Sequence, residues 1–211
     1  MDVVQQTIES YDKIASEYCR KTRQSKFLDW EEIYIKMLLS YISKTIPLIL
    51  DVGCGDGRHC LLIEKNGGKA IGIDLSKRML EEAKAYYPNG DFQEMDMRRL
   101  LFDDDLFNGI WASGCIYHVK KSDARKVIKE FRRVLKIKGV VGLNFKLGKG
   151  ERLENNPKSY GGSPRYFAYY AKQEIEDLLK GVGFEELKSC LYPEEIFGDN
   201  IQQMWFRLRN K

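Results

Sequence analysis

Apolar positions in the opening part of the chain recur at helical spacing, and they predict two helices, residues 4–20 and Phe27 to Ser43. The second carries Trp30, Ile33, Tyr34, Met37, Leu38 and Tyr41 at that spacing, an aromatic stripe of the kind that faces a core. From residue 47 the pattern changes to short apolar runs alternating with amphipathic ones, the signature of parallel strands joined by crossover helices. Strands are predicted at Leu48 to Val52, Lys69 to Leu75, Asp91 to Met95, around Ile110 to Ser113 and at Val140 to Phe145. Helices are predicted between them at Arg58 to Asn66, Lys77 to Tyr86 and Asp123 to Leu135. The polar, glycine-containing stretch Gly148 to Gly162 is too long for a simple connection, and loops of that length inside a compact domain are usually covers or disordered segments. A helix at Lys172 to Lys180 and a final antiparallel pair, Phe184 to Leu191 and Ile201 to Leu208, close the pattern.

The fold expected is a single α/β domain: a Rossmann-like, seven-stranded, mostly parallel sheet with helices on both faces and an antiparallel last strand, preceded by N-terminal helices. Residues 1–46 are expected to form a helical lid, 47–147 the core, and 148–211 the cover loop, last helix and closing strands. Composition refines this picture only a little. With 43% hydrophobic and 31% charged residues the chain belongs with globular domains, and no apolar run approaches the ~20 residues of a membrane helix. No secretory leader is evident, so a cytoplasmic location is expected and membrane partners are not. The five cysteines are scattered without a C-x-x-C pair and the histidines number two, which argues against a metal site. A net charge of +4 permits an anionic partner without requiring one.

The chemistry is concentrated in Ile49-Leu50-Asp51-Val52-Gly53-Cys54-Gly55-Asp56-Gly57, a buried strand running into a glycine turn and then a helix. Dinucleotide-binding folds use a similar device, but three features differ. The spacing is G-x-G-x-G, with Arg58 where the dinucleotide fingerprint has its third glycine. Asp51 precedes the first glycine, where a carboxylate repels a pyrophosphate but favours a ligand carrying an ammonium and a sulfonium. Asp74 ends the next strand, placed to accept from both hydroxyls of a ribose.

The runs ILDVGCGDG and IGIDLS, together with the order of elements, resemble the class I S-adenosylmethionine-dependent methyltransferases, and among them the ubiquinone/menaquinone-biosynthesis type. Y-D-K-I-A-S-E-Y at 11–18, F-R-R-V-L-K at 131–136 and R-Y-F-A-Y-Y at 165–170 are similar to that group's patterns, so the resemblance covers nearly the whole chain. It implies S-adenosylmethionine as methyl donor. Carried over, Gly53, Cys54 and Gly55 would pass the methionine moiety, Asp51 would favour its amino group, Asp74 would hold the ribose and Leu75 would pack on the adenine. Asp96 and Met97 match the adenine contacts, Ser113 and Gly114 would line the donor, and Tyr117-His118 match a position facing the acceptor.

Asn108 replaces the family's usual Asp after Phe, and Ile137-Lys138 replace Pro-Gly before Gly139, both in expected turns. Ala112-Ser113-Gly114-Cys115 departs from the Asn/Asp-Pro-Pro-Tyr/Phe of enzymes that methylate amide or adenine exocyclic nitrogens. If the acceptor must lose a proton, His118 is the leading candidate base and Tyr166 a weaker one. The expected acceptor is a small molecule, in a pocket bounded by His118, Lys146, Arg165 and Tyr166 and covered by residues 11–20 and 148–170. Two alternatives stand beside it: a tRNA or other RNA acceptor contacted by the basic stripe Arg125, Lys129, Arg132 and Lys136, or a donor-binding paralogue without activity.

Overall fold

The computed structural model describes residues 2–24, 27–155, 162–193 and 201–209. Helix α1 (Val3–Arg23) and helix α2 (Phe27–Ser40) come first, followed by strand β1 (Leu48–Val52), α3 (Arg58–Lys65), β2 (Lys69–Asp74), α4 (Lys77–Tyr86) and β3 (Asp91–Glu94). Strand β4 (Phe107–Ala112), a short 3-10 turn (Ile116–His118), α5 (Lys121–Val134) and β5 (Leu135–Lys146) continue the alternation. Then come β6 (Glu151–Glu154), β7 (Arg165–Ala168), α6 (Lys172–Lys180), β8 (Phe184–Leu191) and β9 (Ile201–Leu208).

The main sheet has seven strands in the order β3-β2-β1-β4-β5-β9-β8. β1 pairs in parallel with β2 and β4, and β9 runs antiparallel between β5 and β8. The order reverses between β1 and β4, and the carboxyl ends of strands at such a reversal are where an open α/β sheet receives its ligands. The expected sheet is present. Side chains alternate across it as the pleat demands. Leu50 and Val52 join the core under α5 and α6, whereas Ile49 packs on the opposite face with Tyr34, Ile35 and Leu38 of α2 and Ile63 of α3. The α5 side chains Val127, Ile128, Phe131 and Val134 are fully buried, as their helical spacing requires.

Two local features differ from the sequence expectation. The stretch taken for a cover loop supplies a strand, β6, which pairs antiparallel with β7 in a hairpin over the site; residues 156–161 of that stretch lie outside the described residues. β5 also begins earlier than expected, with an irregularity that shifts its pairing with β4 between Phe107 and Gly109. That irregularity places Lys138 at φ 66°, in the left-handed region. Asn108 keeps a structural task in its turn: its side-chain oxygen accepts from the Leu48 backbone N–H at 3.0 Å, tying β4 to the start of β1.

A left-handed backbone costs a non-glycine residue roughly 1–2 kcal/mol. Lys138→Gly is therefore expected to raise the unfolding free energy by about 1 kcal/mol, less than the whole strain because glycine also frees the unfolded chain. Urea unfolding of the two proteins checks this.

Candidate active site

The turn after β1 holds Gly53, Gly55 and Gly57 at φ 65°, 54° and 73°, a left-handed run that side-chain-bearing residues avoid. Space reinforces the conformational demand. A Cβ on Gly53 would lie 2.5 Å from the Cβ of Cys115, and one on Gly57 would lie 2.5 Å from the ring of Phe92. The turn therefore sits directly against the β4 loop and β3, and it forms one wall of a cavity of about 500 Å³ over the strand ends.

Cys54, Gly53, Gly55, Asp74, Leu75, Asp96, Met97, Ser113 and Gly114, all singled out from the sequence, line this cavity. Asp74 is held firmly: Oδ2 accepts from the Gly55 N–H and Oδ1 from the Ser76 N–H, each at 2.9 Å. Burial raises its carboxyl above the ordinary carboxylate range, and these backbone donors work against the rise. Asp96 is gripped by Arg98, whose Nη2 stands 2.7 Å from Oδ2, and this partner outweighs burial and keeps its carboxyl low.

Asp51 requires a correction. It does not line the cavity, because the strand's alternation that turns Leu50 and Val52 one way turns Asp51 the other. Its carboxylate is fully buried against α3, accepting from the Cys60 thiol at 3.4 Å, with His59 Nδ1 4.0 Å away. Burial pushes its pKa up to about 6. Nearby, Glu31 of α2 receives Nε and Nη2 of Arg58 at 3.0 Å each. Burial alone would raise the Glu31 carboxyl, but Arg58 and His59 outweigh it and hold the group well below the usual range. Arg58, where a dinucleotide site has glycine, and Glu31 both line the cavity.

At the other end of the cavity, His118 lies in the wall but is no free base. Its Nδ1 is 2.7 Å from the Tyr166 carbonyl and its Nε2 is 2.9 Å from the Tyr11 hydroxyl. A carbonyl only accepts, so Nδ1 carries the proton and Nε2 receives one from Tyr11. Burial drives the His118 pKa down to about 3, with the nearby Arg165 and Lys146 lowering it further against the carbonyl's effect. The Tyr166 hydroxyl leaves the site altogether: it is bonded to Glu151, and burial is the main reason its proton is held more tightly than usual. Along β7 the residues that line the cavity are Arg165 and Phe167, while Tyr166 and Ala168 pack into the core, again the alternation of a strand.

Several lining residues were not identified from the sequence. Val4, Thr7 and Thr22 join Tyr11 and Tyr18, which lie in the segment 11–20 expected to cover the pocket, in presenting one side of α1 to the cavity, a spacing legible in principle as a helical stripe. Asn144 of β5 lines it too, accepting from the Gly114 N–H at 2.8 Å and donating to Ser113 Oγ at 2.8 Å. Arg125, Lys129, Arg132 and Lys136, the basic stripe, are not among the cavity residues. Among the described residues no cluster suited to a metal ion occurs, and no helix is long and apolar enough to cross a membrane.

Asp51 makes a measurable difference to stability. Its folded pKa lies above the ordinary 3.8, so the folded state keeps the proton longer and stability falls as pH rises between about 4 and about 6. Asp51→Asn should remove that component, worth about 2–3 kcal/mol. Denaturant titrations of both proteins across this range measure the difference.

A methyltransferase-domain profile matches residues 49–139. The demethylmenaquinone methyltransferase of Thermotoga maritima is 29% identical over 167 residues, 77% of this chain and 67% of that protein. A ubiquinone/menaquinone biosynthesis C-methyltransferase of Campylobacter jejuni is 29% identical over 220 residues, covering 89% of this chain and 92% of the relative. Other curated relatives align over only 37% of their own length. Among solved structures, the 1,6-didemethyltoxoflavin-N1-methyltransferase of Burkholderia thailandensis, crystallised with its acceptor and S-adenosylhomocysteine, superposes with a TM-score of 0.77 at 16% identity, covering 98% of this chain and 88% of that one. With a left-handed glycine turn set over a strand-end acid in this sheet order, and likeness running along most of the sequence, the chain is similar to the class I S-adenosylmethionine-dependent methyltransferases and, among them, to their ubiquinone/menaquinone-biosynthesis type.

Proposed function

We propose that this protein transfers a methyl group from S-adenosylmethionine to a small aromatic molecule held in the same cavity. The observation that carries the reading is the division of that cavity into two chemically different ends. One end has the glycine turn and the acids Asp74 and Asp96; the other has the rings of Tyr11, Tyr117, His118 and Phe167. A volume of about 500 Å³ under the α1 and β6-β7 cover suits small molecules.

The donor end fits S-adenosylmethionine. Each Asp74 oxygen accepts one backbone N–H and keeps a lone pair, so the carboxylate is pre-oriented to receive two ribose hydroxyls. Gly53, Cys54 and Gly55 let the main chain approach the methionine part, Leu75 and Met97 give apolar faces for adenine, and Asp96 accepts from its amine. Asp51, beneath the turn, acts on the donor only through the field it adds there. Bound S-adenosylmethionine supplies a methyl carbon already activated by a positive sulfur. The protein then aligns the acceptor and keeps water out, and alignment alone contributes roughly 7–11 kcal/mol. Helix α1 is well placed for this, since it lies across the cavity and is fastened to α4: Ser76 Oγ donates to Asp12 at 2.6 Å, and Ser16 Oγ to Glu82 at 2.7 Å.

Curated relatives named for demethylmenaquinone and for ubiquinone/menaquinone biosynthesis support an aromatic small-molecule acceptor, as does the toxoflavin-precursor methyltransferase of the same fold. The chain is read as one domain, with residues 1–46 as a helical lid, 47–147 as the donor-binding core, and 148–211 as the cover segment, last helix and closing strands.

Incubating the protein and labelled S-adenosylmethionine with a cell extract, then separating RNA, protein and small molecules, tests the reading. Label is expected in the small-molecule fraction; label in RNA, or in nothing, would overturn it. Asp74→Ala should weaken S-adenosylhomocysteine binding by about 1.5–3 kcal/mol for each charge-assisted bond lost, measured by calorimetry.

Charge reversal at Arg125, Lys129 and Arg132 together should leave methyl transfer and its salt dependence unchanged, because none of the three lines the cavity. With His118 neutral down to about 3, the pH profile of turnover should show no limb near 6.5.

A further inference from the structure

We infer that the protein binds one internal water molecule beneath the glycine turn, held jointly by Asp51 of β1, Trp111 of β4 and His59 of α3. All three side chains are buried. The Cys60 thiol reaches Oδ2 of Asp51, but Oδ1 has no hydrogen-bond partner among the described residues, and neither has the indole nitrogen of Trp111. Native proteins leave few buried polar groups bare, and ordered water is the usual partner of those that side chains do not reach.

Geometry brings these groups to one point. Asp51 and Trp111 are register partners on the parallel strands β1 and β4, so their side chains leave the sheet on the same face, the one packed by α2 and α3. Trp111 is also paired with Gly142 of β5, and a Cβ on Gly142 would lie 2.8 Å from Cε3 and Cζ3 of the indole. The benzene edge of the ring therefore overlies β5, and the opposite edge, which carries Nε1–H, is turned toward β1 and Asp51. From α3, the His59 ring meets the indole edge-on with centres 6.0 Å apart, and its Nδ1 stands 4.0 Å from Asp51 Oδ1. That span is too long for a direct hydrogen bond and is one that a single water bridges.

Proton positions favour water over an ion. His59 Nε2 lies 3.1 Å from Glu31 Oε1, off the line of a hydrogen bond; a carboxylate only accepts, so the ring's proton belongs on Nε2 and Nδ1 offers a lone pair. Two acceptors, Asp51 Oδ1 and His59 Nδ1, thus face one donor, the Trp111 N–H. Water matches this set, accepting from the indole while donating to each acceptor. If the imidazole takes a second proton, Nδ1 donates to the same water, which still donates to Asp51. A cation would meet the positive end of the indole N–H, and an anion would meet the carboxylates of Asp51 and Glu31. His59 lines the cavity over the strand ends, which gives water its route in. Bound there, the water supplies the hydrogen bond that Oδ1 needs and links β1 to β4 just ahead of Gly53. Asp51 lies on the face of β1 turned away from the cavity, so the inference stands or falls independently of the proposed methyl transfer.

Two measurements on the whole protein test it. In a high-resolution crystal structure, one water is expected within about 2.7–3.2 Å of both Trp111 Nε1 and Asp51 Oδ1. In solution, the three tryptophans of isotope-labelled protein give three indole N–H signals by NMR, and the one missing in Trp111→Phe belongs to Trp111. That signal is expected to show cross-relaxation with water, of the sign given by a water bound for longer than the protein's tumbling time. Asp51→Val, which replaces the acceptor with methyl groups of similar bulk, should abolish the cross-peak. Cys60 and His59 remain in that variant, so a peak relayed by their exchanging protons would persist there. A dry indole N–H in the wild type, a cross-peak that survives in Asp51→Val, a direct Trp111–Asp51 hydrogen bond or an ion at the position would overturn the inference. If Asp51→Val does not fold, the crystal structure of the wild type decides.

Discussion

Close approach of the β1 turn to its neighbours is the constraint on which the rest of the site depends. Gly53 and Gly57 have no room for a Cβ, since Cys115 and Phe92 already occupy that space. Gly55 carries the same left-handed backbone. This packing lets the Gly55 N–H reach Asp74 across from β2, so a backbone donor on one strand end orients the carboxylate on the next. The Cys115 contact brings the β4 loop to the same point, where Asn144 holds the Gly114 amide from β5. Four strand ends are thus tied together by a turn that only glycine can make.

Charge is distributed over this frame in a way that suits two different ligands in one cavity. Acids concentrate at the β2 and β3 ends, where Asp74 and Asp96 are braced by backbone amides and by Arg98. Cations and rings concentrate at the β5 and β7 end. The histidine between them is kept neutral by burial and by two fixed hydrogen bonds, which makes it part of the wall. On the proposed reading, such a site gains its rate from positioning and from matching charge to charge, with little demand for proton transfer by side chains.

Covering elements complete the enclosure from opposite ends of the chain. α1 brings Tyr11 to His118 across 107 residues, and the Thr7 hydroxyl accepts from the Tyr166 N–H, joining α1 to the β6-β7 hairpin. The helix is thereby connected both to α4 beside the glycine turn and to the β6-β7 hairpin.

Much of this was legible in the sequence because it follows from local periodicity. Apolar alternation and helical spacing predicted the order of strands and helices, glycine spacing singled out the β1 turn with Asp74, and the family resemblance added Asp96 and Ser113-Gly114, all of which line the cavity. What the sequence by itself determined, then, is the sheet, its crossovers and the glycine turn, all properties of short segments. Tertiary structure decided which way individual side chains face and what they touch. Pleating sent Asp51 under the turn and Tyr166 into the core while it brought Arg165 and Phe167 into the cavity, a difference of one residue that no composition reveals. The neutral state of His118 depends on a tyrosine 107 residues away and a carbonyl 48 residues away, contacts that exist only once α1 and β7 have closed over the strand ends.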